Sequence, residues 1–332
     1  MKRFTLEEIG KIAGVSRATV SRVINNHPNI SDSVRQRVLE VIEETGYRPN
    51  LAARTLASNQ SHILGLVIPS IISHVFTNPY YSMLIQGITQ ICNERDYTLT
   101  LFMFQTREEQ DKATRRIVSN GLLDGLIFNA DYNENSLVEH LQRAKMPFVQ
   151  IGRPIDDAPI HYVDADNFDG ARQATQYLID RGCQRVAQVA TAINPAGEDR
   201  NAGYLQALAD NGITIDENLI VNGDFSESQA YRVTKDLLKH EPDGIFVQSD
   251  WMAMGVIRAI QEAGLHVPED IAVVGFDDLP IATRDKPHLT TIRQPVIETG
   301  RVAVETLLTV IQNPDIEQQR SQLPVELIVR DT

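Results

Sequence analysis

Two arginines near the start of the chain, Arg17 and Arg22, are surrounded by small polar residues. If residues 16–24 form a helix, the apolar residues of this segment fall on one face. The opposite face is formed by Arg17, Ala18, Ser21 and Arg22. A helix with small or hydrogen-bond-donating side chains near its N-terminus can enter the DNA major groove, where arginine pairs with guanine or with phosphate. The segment therefore predicts a DNA-reading helix, and an ordinary helical hairpin with solvated arginines is the alternative.

The flanking residues predict the elements that hold this helix. Thr5 precedes an apolar run and Glu8 follows three residues later, a pattern typical of a capping box that starts a helix near residue 6. Gly14 ends that helix, and Ser16 can cap the next one. A third helix over residues 31–45 directs its valines inward. We therefore expect a helix-turn-helix domain over residues 1–46.

A short linker is expected to follow this domain. Pro49 cannot continue a helix and biases the residue before it toward an extended conformation, so the chain turns there. Residues 51–57 can form a helix, but one too short to be stable alone in water. We expect residues 47–61 to connect the small domain to a larger body.

The remaining chain alternates apolar runs with amphipathic stretches, which is typical of parallel sheets covered by helices. Strands are predicted near 63–69, 99–104, 125–128, 147–151, 186–189, 244–247, 271–276, 289–292 and 323–329. Helices are predicted near 80–95, 107–120, 134–143, 168–182, 197–211, 227–240, 250–263 and 295–312. The pattern restarts once, so we expect a body at 62–332 with two doubly wound α/β lobes. The first lobe takes about 62–162 and 293–322, and the second takes about 163–292 and 323–332.

Polar residues stand where several of these strands end. In open parallel sheets a ligand sits outside the carboxyl ends of the strands. This rule selects residues suited to bind hydroxyl groups: Asn129, Gly152, Arg153, Ser249, Asp250, Asp277 and Asp278. The alternatives are structural, since Asp250 can cap a helix and Asp278 a turn.

Two motifs together resemble the lactose/galactose-repressor (LacI/GalR) family of transcription regulators. They are Ala13-Gly-Val-Ser-x-Ala-Thr-Val-Ser-Arg-Val-Ile-Asn25 and Tyr47-x-Pro-Asn-x-x-Ala-Arg-x-Leu56. The resemblance covers the whole chain and implies a hinge helix that orders on operator DNA. It also implies that Leu56 wedges into the minor groove, which agrees with the energetics of kinking DNA by an inserted apolar side chain. The DNA contacts that it implies are Thr5, Ser16, Arg17, Ala18, Thr19, Ser21, Arg22, Asn25, Tyr47, Asn50, Ala53, Arg54 and Leu56.

The same resemblance implies a body of the periplasmic sugar-binding fold with a small effector, most simply a sugar, between the lobes. Arginine and carboxylate side chains can each hold two hydroxyls, and an aromatic ring can stack on a pyranose. The effector-binding residues expected are Tyr80, Tyr81, Asn129, Arg153, Arg200, Phe225, Ser249, Asp250, Asp277 and Gln294. The chain departs from the family pattern at Ser249-Asp250, where Asn-Asp is usual, and in an apparent insertion at 71–77. Effectors in the family range from mono- and oligosaccharides to purines.

The distribution of charge agrees with a DNA-binding head. Residues 1–60 carry nine Lys/Arg against six Asp/Glu, although the whole chain has a net charge of −13. The attraction to phosphate is therefore local. The N-terminal residues carry charges where a signal peptide is apolar, and no run is long enough to span a membrane, so a cytoplasmic protein is expected. Cys92 and Cys183 lack metal-ligand spacing, and neither a metal nor a cofactor is expected.

The sequence thus predicts a sequence-specific DNA-binding transcription regulator, most simply a repressor of carbohydrate-utilisation genes controlled by a small effector. Because no heptad segment follows Val329-Arg-Asp-Thr332, a homodimer on a near-palindromic operator is expected. A sugar-binding protein without DNA activity is the main alternative. An enzyme is disfavoured, because adjacent carboxylates such as Asp277 and Asp278 usually point apart, whereas a glycosidase needs a facing pair.

Overall fold

The computed structural model describes residues 4–24, 27–47, 60–68, 76–104, 106, 108–109, 112–113, 117, 122–129, 135–155, 158–191 and 194–332. The chain divides into two compact units, Met1–Ser61 and His62–Thr332. We call the first unit the head and the second the body. Each is described by itself.

The head contains three helices: α1 (Leu6–Ala13), α2 (Arg17–Ile24) and α3 (Asp32–Thr45). The predicted capping box is present, because the Thr5 backbone N–H donates to Glu8 Oε2 at 2.8 Å and the Glu8 N–H donates to Thr5 Oγ1 at 3.2 Å. Gly14 ends α1 in the left-handed region at φ 66°, which glycine adopts without steric penalty. The turn to α2 is therefore encoded locally.

A small apolar core joins the three helices. Ile9 of α1, Val20 of α2 and Val38 of α3 are fully buried, and Ala13, Val23 and Val41 complete the buried set. These residues lie at helical spacing, so each helix turns one apolar face inward. The polar face of α2 is consequently directed away from the core.

The body contains twelve strands and seven helices among its described elements. The strands are β1 (Ile63–Ile68), β2 (Thr98–Met103), β3 (Gly125–Asn129), β4 (Phe148–Ile151), β5 (Tyr162–Ala165), β6 (Val186–Ala190), β7 (Ile220–Asn222), β8 (Gly244–Val247), β9 (Ala272–Asp277), β10 (Thr290–Arg293), β11 (Arg320–Leu323) and β12 (Glu326–Ile328). The helices are α4 (Pro79–Glu94), α5 (Asn135–Arg143), α6 (Asn167–Asp180), α7 (Pro195–Asp210), α8 (Glu227–Leu237), α9 (Asp250–Glu262) and α10 (Val296–Gln312).

The strands form two six-stranded sheets. The first sheet has the order β11-β5-β4-β3-β1-β2 and the second β12-β10-β9-β8-β6-β7. The pairs are parallel except β10 with β12, which is antiparallel. Central strands such as β3, β4 and β8 are buried on both faces, as their continuous apolar sequences predict. The predicted fold class, a helical head followed by a doubly wound α/β body, is confirmed.

The order of each sheet reverses between two neighbouring strands. The reversal lies between β1 and β3 in the first sheet and between β6 and β8 in the second. Loops leaving such a pair diverge to opposite faces of the sheet and open a crevice at the carboxyl ends. The most favourable ligand positions are therefore at these two points.

The structure differs from the sequence-based elements in three places. β5 and β7 were not predicted, because they have only four and three residues and lack an apolar run. The single strand predicted at 323–329 is two short strands, β11 in the first sheet and β12 in the second. The chain thus passes between the sheets at Pro324-Val325, and also near Asp166 and near Gln294. The helix predicted at 107–120 lies largely outside the described residues.

Candidate functional site

The outward face of α2 in the head presents the polar residues predicted to read DNA. Arg17, Ala18 and Arg22 are exposed, and Thr19 and Ser21 are partly exposed. Ser16 is also exposed, and its Oγ accepts a hydrogen bond from the Thr19 N–H at 3.1 Å, which caps the helix. No acidic side chain lies in the first turn of α2. The positive end of the helix dipole therefore adds to the charge of the arginines.

Tyr47 lies close to this face. Burial raises the pKa of the Tyr47 phenol, while the charge of Arg17 opposes the rise, so the two side chains interact. Thr5 caps the N-terminus of α1 through the capping box described above. Asn25, Asn50, Ala53, Arg54 and Leu56 lie outside the described residues.

In the body, the carboxyl ends of the strands bring together six side chains, which we call the Arg200 cluster. Its members are Tyr80, Asp164, Asn167, Arg200, Asp277 and Gln294. Both sheets contribute, since Asp164 lies near the end of β5 in the first sheet and Asp277 ends β9 in the second. The cluster therefore lies where the two lobes meet.

Arg200 is the centre of the cluster and is only 5 % exposed. Its Nε donates to Asn167 Oδ1 at 2.9 Å, and its Nη1 donates to the Gln248 carbonyl oxygen. The guanidinium lies 3.7 Å from the centroid of the Phe276 ring, a cation–π contact. Its third nitrogen, Nη2, is 3.7 Å from Asp277 Oδ1, beyond hydrogen-bond length. Two sides of the guanidinium are thus fixed, and Nη2 retains its capacity to donate.

Asp277 faces Arg200 from the end of β9. It is 5 % exposed, and its Oδ1 accepts a hydrogen bond from Gln294 Nε2 at 2.5 Å. Burial raises the pKa of Asp277 to about 6, although Arg200 and the Gln294 hydrogen bond act in the opposite direction. The backbone of Asp277 has φ 119°, a conformation that L-residues rarely adopt. The hydrogen bond from Gln294 holds the carboxylate at the end of this buried strand.

Close packing of two helices positions Arg200. On α7, Gly203 lies one turn after the arginine, and a Cβ atom there would be 2.1 Å from the Phe168 carbonyl oxygen of α6. The absence of a side chain lets the two helices approach, and this brings Arg200 to Asn167 in the first turn of α6. Asn194 caps α7 by accepting from the Gly197 N–H at 2.7 Å.

Asp164 connects this arrangement to the first sheet. Its Oδ1 accepts from the Ala165 N–H at 2.8 Å and from Asn167 Nδ2 at 3.0 Å, and its Oδ2 accepts from the Arg153 N–H at 3.0 Å. Burial raises the pKa of Asp164 to about 6 despite these bonds. Through Asn167, this carboxylate fixes the orientation of Arg200.

The Arg153 side chain pairs across the two lobes. Its Nε is 2.7 Å from Asp199 Oδ2 and its Nη2 is 2.9 Å from Asp199 Oδ1, a bidentate pair. Nη2 also lies 3.2 Å from Glu198 Oε2. The hydrogen bond to Asp199 is the main reason that the pKa of Arg153 is raised. Arg153 follows β4 and both acids lie on α7, so the pair connects the first sheet to the second lobe.

Ser249 and Asp250 have structural partners. Ser249 Oγ caps α9 by accepting from the Trp251 N–H at 3.2 Å. Asp250 is fully buried, and its carboxylate accepts from the Leu279 N–H at 2.8 Å and from Thr291 Oγ1 at 2.6 Å. Burial and the neighbouring Asp277 raise the pKa of Asp250. Asp250 therefore braces the ends of β9 and β10 beneath the cluster.

The remaining predicted residues lie at the same edges. Tyr80 and Tyr81 begin α4 and contact each other edge to face at 5.5 Å. Burial, then Tyr81 and the carboxylates of the cluster, raise the pKa of Tyr80, whereas Arg200 lowers it. Asn129 ends β3 and is partly exposed. Phe225, at φ 50°, is partly exposed in the loop between β7 and α8.

Comparison with known proteins identifies the family. Residues 5–50 match the model "Bacterial regulatory proteins, lacI family", and residues 175–332 match the model "Periplasmic binding protein-like domain". The ribose operon repressor of Escherichia coli (strain K12) is 34% identical over 330 residues, which cover 98% of each chain. The chain belongs to the lacI family of bacterial regulatory proteins.

Solved structures of this regulator family are similar to this chain along nearly its whole length. A structure of the Lac repressor dimer bound to operator and the anti-inducer ONPF has a TM-score of 0.87 and 28% identity, covering 100% of this chain and 99% of that one. A complex of the transcriptional regulator CelR with cellobiose has a TM-score of 0.79 and 33% identity, covering 99% of both chains.

Helices long and apolar enough to cross a bilayer are absent from the described part of this lacI-family regulator.

Some residues of the regulator's site were not predicted from the sequence. Asp164 lies on a strand too short to be recognised, and Asn167 precedes an ordinary amphipathic helix. Gln248 binds Arg200 through its backbone carbonyl, and a backbone contact cannot be inferred from the type of side chain. The side-chain Oε1 of Gln248 accepts from the Thr191 N–H and Oγ1, each at 3.0 Å. Asp199 could have been found, because it directly precedes Arg200.

Proposed function

We propose that this lacI-family regulator binds a sugar at the Arg200 cluster and that the sugar controls its binding to operator DNA. The observation that carries this assignment is the pairing of Arg200 Nη2 with Asp277. The two groups are buried and 3.7 Å apart, and the contacts described for Asp277 involve Oδ1. Nη2 can donate and Oδ2 can accept without breaking an existing bond.

A hydroxyl group matches this pair chemically. It accepts from an N–H group and donates to a carboxylate oxygen at the same time, and neighbouring hydroxyls of a sugar can use both. Tyr80 supplies an aromatic surface beside them. The cellobiose held by the related CelR structure, and the name of the related ribose operon repressor, favour carbohydrates over purines.

The head supplies the DNA-binding part of the proposal. Arg17, Ala18, Ser21 and Arg22 lie on the outward face of α2, as a groove-reading helix requires. The related Lac repressor is a dimer on operator DNA, and we propose that this chain likewise acts as a homodimer on a near-palindromic operator. Leu56 keeps its proposed role as a minor-groove wedge.

Control of DNA binding requires that the sugar distinguish two states of the protein. A ligand shifts an equilibrium only by its difference in affinity for the two states, and coupling of about 1 to 3 kcal/mol is typical. The sugar contacts proposed here come from both lobes, so binding depends on the angle between them. A change in that angle is the proposed signal to the hinge.

We propose a binding role without catalysis for this regulator. We also propose that the protein acts in the cytoplasm, where the DNA is. A glycosidase needs two carboxyls that face one another across the bond. Here Asp277 turns toward Arg200 and Gln294, while Asp278 is held by Arg293 at 2.7 Å and by Arg330. The divergence of the two carboxylates supports a binding site.

Thermal shift measurements of the full-length protein test the sugar site. A panel of pentoses, hexoses, disaccharides and purines is scanned, because a ligand that binds the folded state raises the melting temperature. We expect one sugar to give a shift that Arg200→Met and Asp277→Ala abolish. Asp236→Ala, on α8, removes an exposed carboxylate and serves as the control. A shift with a purine alone, or one that survives both cluster variants, contradicts the proposed site.

Operator selection followed by binding measurements tests the head. Arg17→Ala should change the preferred operator, whereas Arg37→Ala removes the same charge from an exposed position of α3 and should weaken all sequences about equally. Identical behaviour of the two variants would exclude Arg17 from base recognition. Removal of residues 1–60 should abolish DNA binding.

A further inference from the structure

On the basis of the function proposed above, we infer that the effector is an electrically neutral sugar and that the site rejects anionic sugars such as phosphates and uronates. Arginines in a binding site ordinarily suggest an anion. Among the described residues at the site, Arg153 is held by carboxylates and Arg200 lies beside one, and further carboxylates surround them.

The two arginines nearest the site are both neutralised within the protein. Arg153 is bound by Asp199 in a bidentate pair and by Glu198. Arg200 lies beside Asp277, and the carboxylates of Asp164 and Asp250 also act on its charge. An anionic ligand at Arg153 would have to displace one of its carboxylate partners, and one at Arg200 Nη2 would lie beside the buried carboxylate of Asp277.

The carboxylates outnumber the arginines. The carboxylates of Asp164, Glu198, Asp199 and Asp277 lie near only two arginines, Arg153 and Arg200. Burial raises the pKa of Asp164 and Asp277 to about 6, so both remain mainly ionised at pH 7.5. A phosphate or uronate placed beside Arg200 Nη2 would also lie beside Asp277, and the repulsion would offset the attraction.

Helix N-termini are the other usual anion receptors, and four of those in the body carry side-chain caps. Asn78 caps α4, Asp166 caps α6, Asn194 caps α7 and Ser249 caps α9, each with its side chain on a backbone N–H of the first turn. An acidic residue also lies in the first turn of α6, α7 and α9. The acidic residues of α6, α7 and α9 therefore oppose an anion at these three helix N-termini.

The segments that follow β1, β3 and β6 in the sequence carry no permanently positive side chain that would favour an anion. Residues 69–75, 130–134 and 192–193 contain neither lysine nor arginine, and residues 130–134 include Asp131 and Glu134. Farther along the second sheet, Arg293 and Arg330 are both bound by Asp278. Arg293 and Arg330 are therefore already paired with a carboxylate.

Calorimetric titration of the full-length protein at pH 7.5 with matched neutral and anionic sugars tests this inference. The pairs are ribose and ribose 5-phosphate, glucose and glucose 6-phosphate, glucose and glucuronate, and cellobiose and cellobionate. A neutral member should bind, and its anionic partner should bind about a hundredfold more weakly or not at all, as expected for an uncompensated charge repulsion at an effective dielectric constant near 20.

A variant of the Arg153 pair provides the second measurement. Asp199→Asn removes a counter-charge of Arg153, so the ratio of neutral to anionic affinity should fall severalfold. The control Asp236→Asn removes an exposed carboxylate of α8 and should leave the ratio unchanged. An anionic sugar that binds more tightly than its neutral partner overturns the inference and leaves the proposed sugar site standing. Absence of binding by every carbohydrate, neutral or anionic, overturns the proposed function and this inference with it.

Discussion

Replacing Asp277 by asparagine should separate the stability of the body from its ability to bind a sugar. Burial raises the pKa of Asp277 from 3.8 to about 6 in the folded protein. At pH 7.5 the folded state therefore holds an ionised carboxylate at a site that favours the neutral form. Asparagine has nearly the same shape, can still accept from Gln294, and carries no charge.

The sign of the pH dependence follows from the raised pKa. Below about pH 3 the carboxyl is mainly protonated in the folded and the unfolded chain alike. As the pH rises from about 4 to 6, the unfolded chain releases its proton first, so the wild type loses stability in this window and Asp277→Asn does not. A rise of about two units corresponds to about 3 kcal/mol in the difference between the two proteins. Because the pKa of nearby Asp250 is also raised, part of this change is spread over both carboxyls.

Urea unfolding at intervals between pH 4.5 and 7.5 measures this difference. We expect the free energy of unfolding of Asp277→Asn, minus that of the wild type, to increase by about 2 kcal/mol across this range, since part of the full change falls below pH 4.5. The variant should also lose sugar binding at pH 7.5, because one carboxylate oxygen becomes a donor. A difference that is flat, or that favours the wild type as the pH rises, would show that the attraction to Arg200 outweighs burial and would refute the reasoning.

Further substitutions test the packing of the body and the capping of the first helix of the head. Gly203→Ala should destabilise the body by about 2 kcal/mol or more, because the new methyl group meets the Phe168 carbonyl oxygen, and chemical unfolding measures the loss. Gln188→Leu should stabilise the body by about 1–2 kcal/mol, since both amide atoms of Gln188 are buried without a hydrogen-bond partner; the same change at Gln248, whose amide is bonded, should destabilise it. Thr5→Ala should remove about 1 kcal/mol from the first helix of the head, seen as faster hydrogen exchange of its amides; unchanged exchange would show that the cap is dispensable.

The elements that depend on local signals were predictable. The capping box at Thr5, the left-handed Gly14 and the helical spacing of valines determine the head, because each acts between residues a few positions apart. The continuous apolar runs of the central strands likewise identify them without tertiary information. β5 and β7 were not predicted, because strands of three or four residues depend on hydrogen bonds to neighbouring strands and do not produce an apolar run in the sequence.

The candidate site divides in the same way. Arg200 and Asp277 could be proposed from the sequence, because a polar residue at a strand end and a family motif mark them. Tertiary structure alone decided that Asp164 orients Asn167, that Asn167 and Gln248 hold Arg200, and that Arg153 is bound by Asp199. Apart from Asp164 and Asn167, which are three residues apart, these contacts join residues distant in the chain. Whether an arginine is available to a ligand or already neutralised depends on which carboxylates the packing of sheets and helices brings beside it, and no local pattern records that.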